Sequence, residues 1–306
     1  MINLLFPILL FAPQGSVTAP YLAQPRFTDL PIFTLYQQAT LVGTEGRQER
    51  DPNQNPELEK AQGRAYCLLT PPKKGRAPST DFIKTHGTIS NAVLALKEDV
   101  IILSRHKFVE RDGKTPSVNY RNCYFEHIQS GEMIPFTDVE YPPNPGYRKK
   151  NSKSENAIWD FNDDIAVARL MRAPAGGKAI PRKNITLERN ISTSITIISN
   201  YADNFEGHPN DALTTTTCNW VGWYNLPGGS LSNVAATDCD SGRGSSGAQA
   251  YATTPFYADK KLFGMIPGDT VELPDGAQLD VKKHVTYITR FGRLDEIYEK
   301  LESRRN

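Results

Sequence analysis

Three short stretches of this chain carry residue types that together could do nucleophilic chemistry. Asp238–Gly247 reads DCDSGRGSSG and sets Ser246 between Gly244-Ser245 and Gly247. Glycines on both sides allow a tight turn that presents a hydroxyl and lets neighbouring backbone N–H groups point one way. Ile101–His106 (IILSRH) is an apolar β-type run ending on a histidine, and Asn162–Leu170 (NDDIAVARL) leads from acidic residues into an alternating strand pattern. Acyl transfer to a serine hydroxyl needs an imidazole base beside it and a buried carboxylate to orient that base. It also needs two backbone N–H groups facing the developing oxyanion. Ser246, His106 and Asp164 are the candidates for hydroxyl, base and carboxylate, and the N–H groups of Gly244 and Ser246 for the oxyanion hole. Asp163 is the rival carboxylate, otherwise expected as a solvated loop residue. Singly each motif is weak, because Gly/Ser loops, structural histidines and Asp turn residues are all common. His86, His127, His208 and His284 lack comparable context and read as structural or surface residues.

Taken together the motifs resemble those of chymotrypsin-like serine peptidases, particularly the bacterial trypsin-like and glutamyl endopeptidase-like members. That family shows a G-T hairpin ending in V-L-T-x-x-H, then N-D-I-A-x-x-x-L, then D-x-x-x-G-x-S-G. Here the hairpin begins at Gly87-Thr88, Asp164 follows His106 by 58 residues, and Ser246 follows Asp164 by 82. The order His, Asp, Ser is the one expected of that fold and differs from subtilisin and the α/β-hydrolases. The resemblance covers roughly residues 65–305, with strong identity confined to the three motifs. It implies that His106 is general base and then general acid, that Asp164 fixes its tautomer, and that Ser246 attacks the carbonyl. It also implies a primary pocket with Asp240 at its base and Ser241 beside it, pairing with a substrate Lys or Arg. Phe263–Gly268 (FGMIPG) lacks the histidine that glutamyl-specific members place in the pocket wall, which argues against cleavage after Glu. Ser245 stands where trypsin-type zymogens carry the Asp that pairs with a freed N-terminal amine, so activation by that ion pair is not expected.

The elements that must position these residues are short strands. Gly87–Leu103 (GTISNAVLALKEDVIIL) reads as two β-runs around a Lys97-Glu98-Asp99 turn, a hairpin pattern. Further runs follow at Ile165–Leu170, Ile191–Ser199, Cys218–Tyr224, Ala248–Thr253, Leu262–Ile266 and Val285–Thr289. Only Arg293–Arg304 has helical spacing, with Leu294, Ile297, Tyr298 and Leu301 on one face. These runs argue for an all-β class, β-barrels or a sandwich; the resemblance implies two six-stranded antiparallel β-barrels, about 65–180 and 181–290, then a C-terminal α-helix. Gly242–Gly247 also fits the G-x-G-x-x-G dinucleotide fingerprint. That motif requires a preceding buried strand and a following helix, whereas AATDCD precedes it and the strand-like AQAYATT follows.

Composition narrows the function classes. Lys+Arg 35 against Asp+Glu 34 leaves no basic excess for nucleic-acid binding. Residues 1–19 read as a signal peptide, with an apolar stretch from Ile2 to Ala12 too short to span a bilayer. Residues 20–64, rich in Pro, Gln, Asn and charge, read as an N-terminal extension or propeptide. Cys67, Cys123, Cys218 and Cys239 form no C-x-x-C pair, which speaks against zinc. In an exported chain four cysteines suggest two disulfides with three possible connectivities; Cys218–Cys239 with Cys67–Cys123 is favoured, and free buried thiols are the alternative. The expectation is a secreted or periplasmic serine endopeptidase acting on protein or peptide substrates, with no metal or cofactor and no membrane or nucleic-acid partner. Its competitor is an inactive homologue serving as a binding module.

Overall fold

The computed structural model describes residues 48–49, 56–70, 77–109, 118–142, 162–192, 194–200, 213–225, 231–239, 245–254, 257–267, 269–270 and 285–305. The expected signal segment, Asp240 to Gly244, His208 and His284 lie outside these residues, as does most of the polar loop after Glu140.

Short apolar runs bounded by polar turns form strands here, and the strands form two closed six-stranded antiparallel barrels, as the fold class anticipated. The first contains β2 (Gln62–Leu68), β3 (Gly87–Leu94), β4 (Val100–Leu103), β5 (Cys123–His127), β6 (Met133–Glu140) and β7 (Ala166–Leu170). They run in the order β2-β3-β4-β7-β6-β5, and β5 closes back on β2. The second contains β8 (Ser194–Asn200), β9 (Leu213–Asn225), β10 (Leu231–Thr237), β11 (Gln249–Thr254), β12 (Tyr257–Met265) and β14 (Val285–Arg290). Here the order is β9-β10-β14-β12-β11-β8, closed by β8 on β9, with β13 (Asp269–Thr270) against β14. Register shifts within the β9–β10 and β11–β12 pairs supply the bends that a small barrel needs.

Both favoured disulfides are present. Cys67 and Cys123 are direct register partners on β2 and β5, and Cys218 on β9 joins Cys239 just beyond β10. Ahead of the first barrel, β1 (Gln48–Glu49) adds to β9 at Thr214 and Thr215, and a turn of helix, α1 (Pro56–Glu59), leads into β2. Helix α2 (Thr80–His86) was not anticipated. Ser79 caps it by accepting from the Phe82 N–H, and it covers the outer face of β2. That cover explains why all seven residues of β2 are buried although the string QGRAYCL is not apolar. The outward Arg64 and Tyr66 meet Glu126 of β5, which Lys84 of α2 also reaches, and burial pushes the Tyr66 hydroxyl up to about 12.

Strand β4 (VIIL) is buried throughout, as is most of β7, where simple alternation would leave one face wet. For β7 the C-terminal helix α3 (Leu294–Ser303) accounts for this. Its apolar face, Leu294, Ile297 and Leu301, packs into the core of the first barrel against β6 and β7, although the helix follows the last strand of the second. The Arg169 guanidinium donates to the Leu301 carbonyl at 3.1 Å and to Glu302 at 2.7 Å, and Lys97 reaches the same carboxylate. Between the barrels, residues 171–192 act as a seam. Ile180 bridges to Ala95, and Ile185 bridges to Leu262, so one segment is bonded to both barrels.

The Lys97 hydrogen bond holds the Glu302 carboxyl below its usual range against the upward push of burial, with Arg169 adding to it. A depressed carboxyl stabilises the fold above its unfolded value of about 4.3 and loses that contribution as pH falls through the folded value. Glu302→Gln is expected to cost ~1 kcal/mol at pH 7. In thermal melts the gap from the parent should narrow as pH falls below the unfolded carboxyl value; a gap that stays constant on acidification refutes the assignment.

Candidate active site

The pairing of β4 with β7 sets Leu103 opposite Ala166. Because these strands are antiparallel, the residues just after β4 and those just before β7 emerge at the same end of the barrel. His106 lies three positions past Leu103, in a 3₁₀ turn of Arg105–Lys107, and Asp164 lies two positions before Ala166. They meet there. Asp164 accepts from the His106 backbone N–H through Oδ1 at 2.7 Å, and its Oδ2 lies 2.7 Å from His106 Nδ1. One carboxylate thus grips the residue at two points, fixing both its main chain and its ring. With Nδ1–H donated to the carboxylate, the Nε2 lone pair is left as the basic site. The Asp164 side chain is 2% exposed and that of His106 17%, so the acid is sealed while the ring keeps an open edge.

Asp163, expected as a solvated carboxylate, is buried instead. It accepts from Asn233 Nδ2 at 3.2 Å and lies 3.6 Å from the Arg293 guanidinium, while Asn162 Oδ1 accepts the Asn233 N–H at 2.7 Å. Asn233 sits on β10, so consecutive side chains of the acid's loop divide the work. Asp164 turns toward His106, and Asn162 and Asp163 fasten the loop to the second barrel. The sequence showed the acidic pair but not the distant Asn233 and Arg293 that remove one of its members from water.

Ser246 belongs to the second barrel, in the turn that leads into β11. Ala248 N–H donates to the Ser245 carbonyl at 2.7 Å, closing the turn, and Gly247 N–H donates to Ile266 at 2.8 Å. Gly247 has φ +80°, and a Cβ there would fall 2.1 Å from the Asn91 carbonyl oxygen, so only glycine fits. The Ser246 carbonyl accepts the Asn91 N–H of β3 at 2.7 Å. Asn91 precedes Ala92, the register partner of Leu103, so the serine turn is seated at the end of the first barrel that carries His106 and Asp164. Ser104, fully buried, adds a second tie through a 3.5 Å bond to the Ile266 carbonyl that also receives Gly247.

The approach to the Ser246 turn is anchored by the Cys218–Cys239 bridge, by Thr286 Oγ1 donating to the Cys239 carbonyl at 2.8 Å, and by Asp238 accepting from Asn219 N–H at 2.6 Å. Gly244, the other expected oxyanion donor, and the expected pocket residues Asp240 and Ser241 fall outside the described residues. Elsewhere, His127 is buried with Nε2–H donated to the Lys60 carbonyl at 3.0 Å and Nδ1 beside the Ser130 hydroxyl, and burial pushes its pKa down. His86 stacks on Phe82 within α2. Among the described residues no cluster of three or more His, Cys, Asp or Glu side chains could hold a metal ion, and no helix is long and apolar enough to cross a membrane.

No protein-family model matches the chain, and no curated protein matches it by sequence. Among solved structures it is similar to AL20, a thermostable serine protease from an extremophilic microorganism. The TM-score is 0.52 at 13% identity, with 80% of this chain and 98% of the other covered. The two closed barrels and this likeness define the fold: the chain has a chymotrypsin-like, two-barrel architecture.

Lys107, next to the candidate base, donates its ammonium to the Ile89 carbonyl of β3. Burial pushes its pKa down to about 8, with the Asp164 charge opposing. An unfolded lysine keeps its proton up to about 10.4, so between these values the unfolded chain binds more protons and stability rises with pH. Lys107→Met should lack this rise. Urea unfolding of both proteins at pH 8 and pH 10 measures it, and equal slopes refute it.

Proposed function

We propose that the chain is a serine endopeptidase that hydrolyses peptide bonds through an acyl-enzyme. The observation that carries this reading is the two-point bond between Asp164 and His106 at the barrel end where the Ser246 turn is seated. His106 Nε2 takes the Ser246 hydroxyl proton as Oγ attacks the scissile carbonyl. The backbone N–H groups of Ser246 and Gly244 receive the oxyanion. Collapse of the tetrahedral intermediate breaks the C–N bond, and the proton held on His106 passes to the leaving amine. Water then enters, gives a proton to His106 and attacks the acyl ester, which releases the second product and restores Ser246. Asp164 stabilises the imidazolium in both halves and stays ionised.

The finer parts of the reading rest on the motifs. Asp240 at the pocket base, with Ser241 beside it, would pair with Lys or Arg at the acyl side of the cut. The two disulfides support an oxidising compartment, either outside the cell or in a periplasm. The substrate is a protein or peptide chain, and no metal or cofactor enters the reaction.

A fluorophosphonate probe and a peptide library test this directly. The parent should be labelled at Ser246 and should cleave after Lys or Arg. Ser246→Ala should take no label, and Asp164→Asn should lower kcat on the order of 10⁴-fold. Asp240→Asn should abolish the basic preference while labelling persists. A folded parent that neither labels nor cleaves peptides supports the binding-module reading instead, and turnover of esters alone supports an esterase.

A further inference from the structure

We infer that Asn91 is a positioning residue for the nucleophile and that its carboxamide orients the Ser246 peptide from the opposite barrel; the inference rests on the proposed peptidase reading. Asn91 stands in β3 immediately before Ala92, Val93 and Leu94, all fully buried, and is itself 2% exposed. A carboxamide buried among such neighbours is costly unless its donors are taken up. Asn91 Nδ2 donates to the Ser246 carbonyl at 3.4 Å and to Ser199 Oγ at 3.3 Å, in addition to the 2.7 Å backbone bond to the same carbonyl. Both lone pairs of the nucleophile's own carbonyl are therefore engaged by one residue.

The bonds from Nδ2 are long, so their effect is directional. The 246–247 peptide is held at its carbonyl by the Asn91 N–H and at its N–H by the Ile266 carbonyl. The Asn91 carboxamide, anchored in turn on Ser199, adds a second donor to that carbonyl oxygen and narrows the direction in which it can point. Ser199 is buried on β8, and its neighbour Ile198 is the register partner of Gln249, three residues beyond the nucleophile. The carboxamide thus joins the serine turn to β3 on one side and to β8 on the other. The route from Asn91 to the base is equally short, through Ala92 and Leu103 to His106. The Ser246 turn is tied by its carbonyl to β3, and the 3₁₀ turn of His106 directly follows β4, the strand paired with β3. Rigid support of this kind keeps reacting atoms in register, and an error of about 1 Å there can cost on the order of 100-fold.

The test compares the parent with Asn91→Ala, Asn91→Asp, Ser199→Ala and the double variant Asn91→Ala/Ser199→Ala. Fluorophosphonate labelling rate, kcat and KM on a peptide substrate, and melting temperature are followed together. Asn91→Asp keeps the size but removes the Nδ2 donors. Both Asn91 variants are expected to lose about 10- to 100-fold in labelling rate and kcat, with KM within about twofold. Ser199→Ala should lose a few-fold alone and nothing further in the Asn91→Ala background, because the two act through one amide. Folded Asn91 variants that label and turn over at the parent rate overturn the inference, as does a loss confined to melting temperature. If Asn91→Ala does not fold, Ser199→Ala decides: a parent-like labelling rate overturns it. An inert parent defeats the peptidase reading first and this inference with it, and is told apart because no variant comparison is then needed.

Discussion

Everything at the candidate site follows from the register of β4 against β7. The pairing of Leu103 with Ala166 brings the turn after one strand and the turn before the other to the same barrel end, where Asp164 can hold His106 by both its amide and its ring. Strand β4 is apolar and buried on both faces, so the register is marked by β7: a slip of one residue would turn Arg169 away from Leu301 and Glu302 and into the barrel core. The packing of β7 and the geometry of the imidazole are therefore one constraint.

The second barrel is bound to the first by polar contacts that converge on the same place. Asn91 and Ser104 meet the Ser246 turn and Ile266 from one side, and Asn162 and Asp163 meet Asn233 and Arg293 from the other. Helix α3 leaves the second barrel and docks on the first, and the 171–192 seam bonds to both. These contacts hold the two barrels in one relative position, which a reaction shared between a serine from one and an imidazole from the other requires. Asn91, Ser104 and Asp163 are buried polar side chains of the first barrel that find hydrogen-bond partners on the second.

Much of the fold was legible from local pattern. GTISNAVLALKEDVIIL marks a hairpin because the polar KED triplet separates two apolar runs, and RLDEIYEKLE marks a helix by the spacing of its apolar residues. Strands β2, β5 and β6 and helix α2 were not read out, because their strings mix charge, aromatics and small residues. For β2, β5 and α2, the charged and aromatic residues Arg64, Tyr66, Lys84 and Glu126 are accommodated only where the three elements meet. The same reason hid β10: LSNVAAT looks like a polar approach to the glycine-rich turn, yet its alanines are fully buried inside the second barrel.

The chain by itself determined the residue types, their order and the glycines around Ser246, since these depend on neighbours in sequence. It also narrowed the cysteine pairing to a favoured one of three. Tertiary structure alone decided which of two adjacent carboxylates faces His106. It decided that the other carboxylate is a buried anchor, and that an asparagine 155 positions before the serine supports that serine's carbonyl. Those outcomes depend on groups brought within about 3 Å by strand pairing, and hydrogen bonds of that reach carry no trace in local composition.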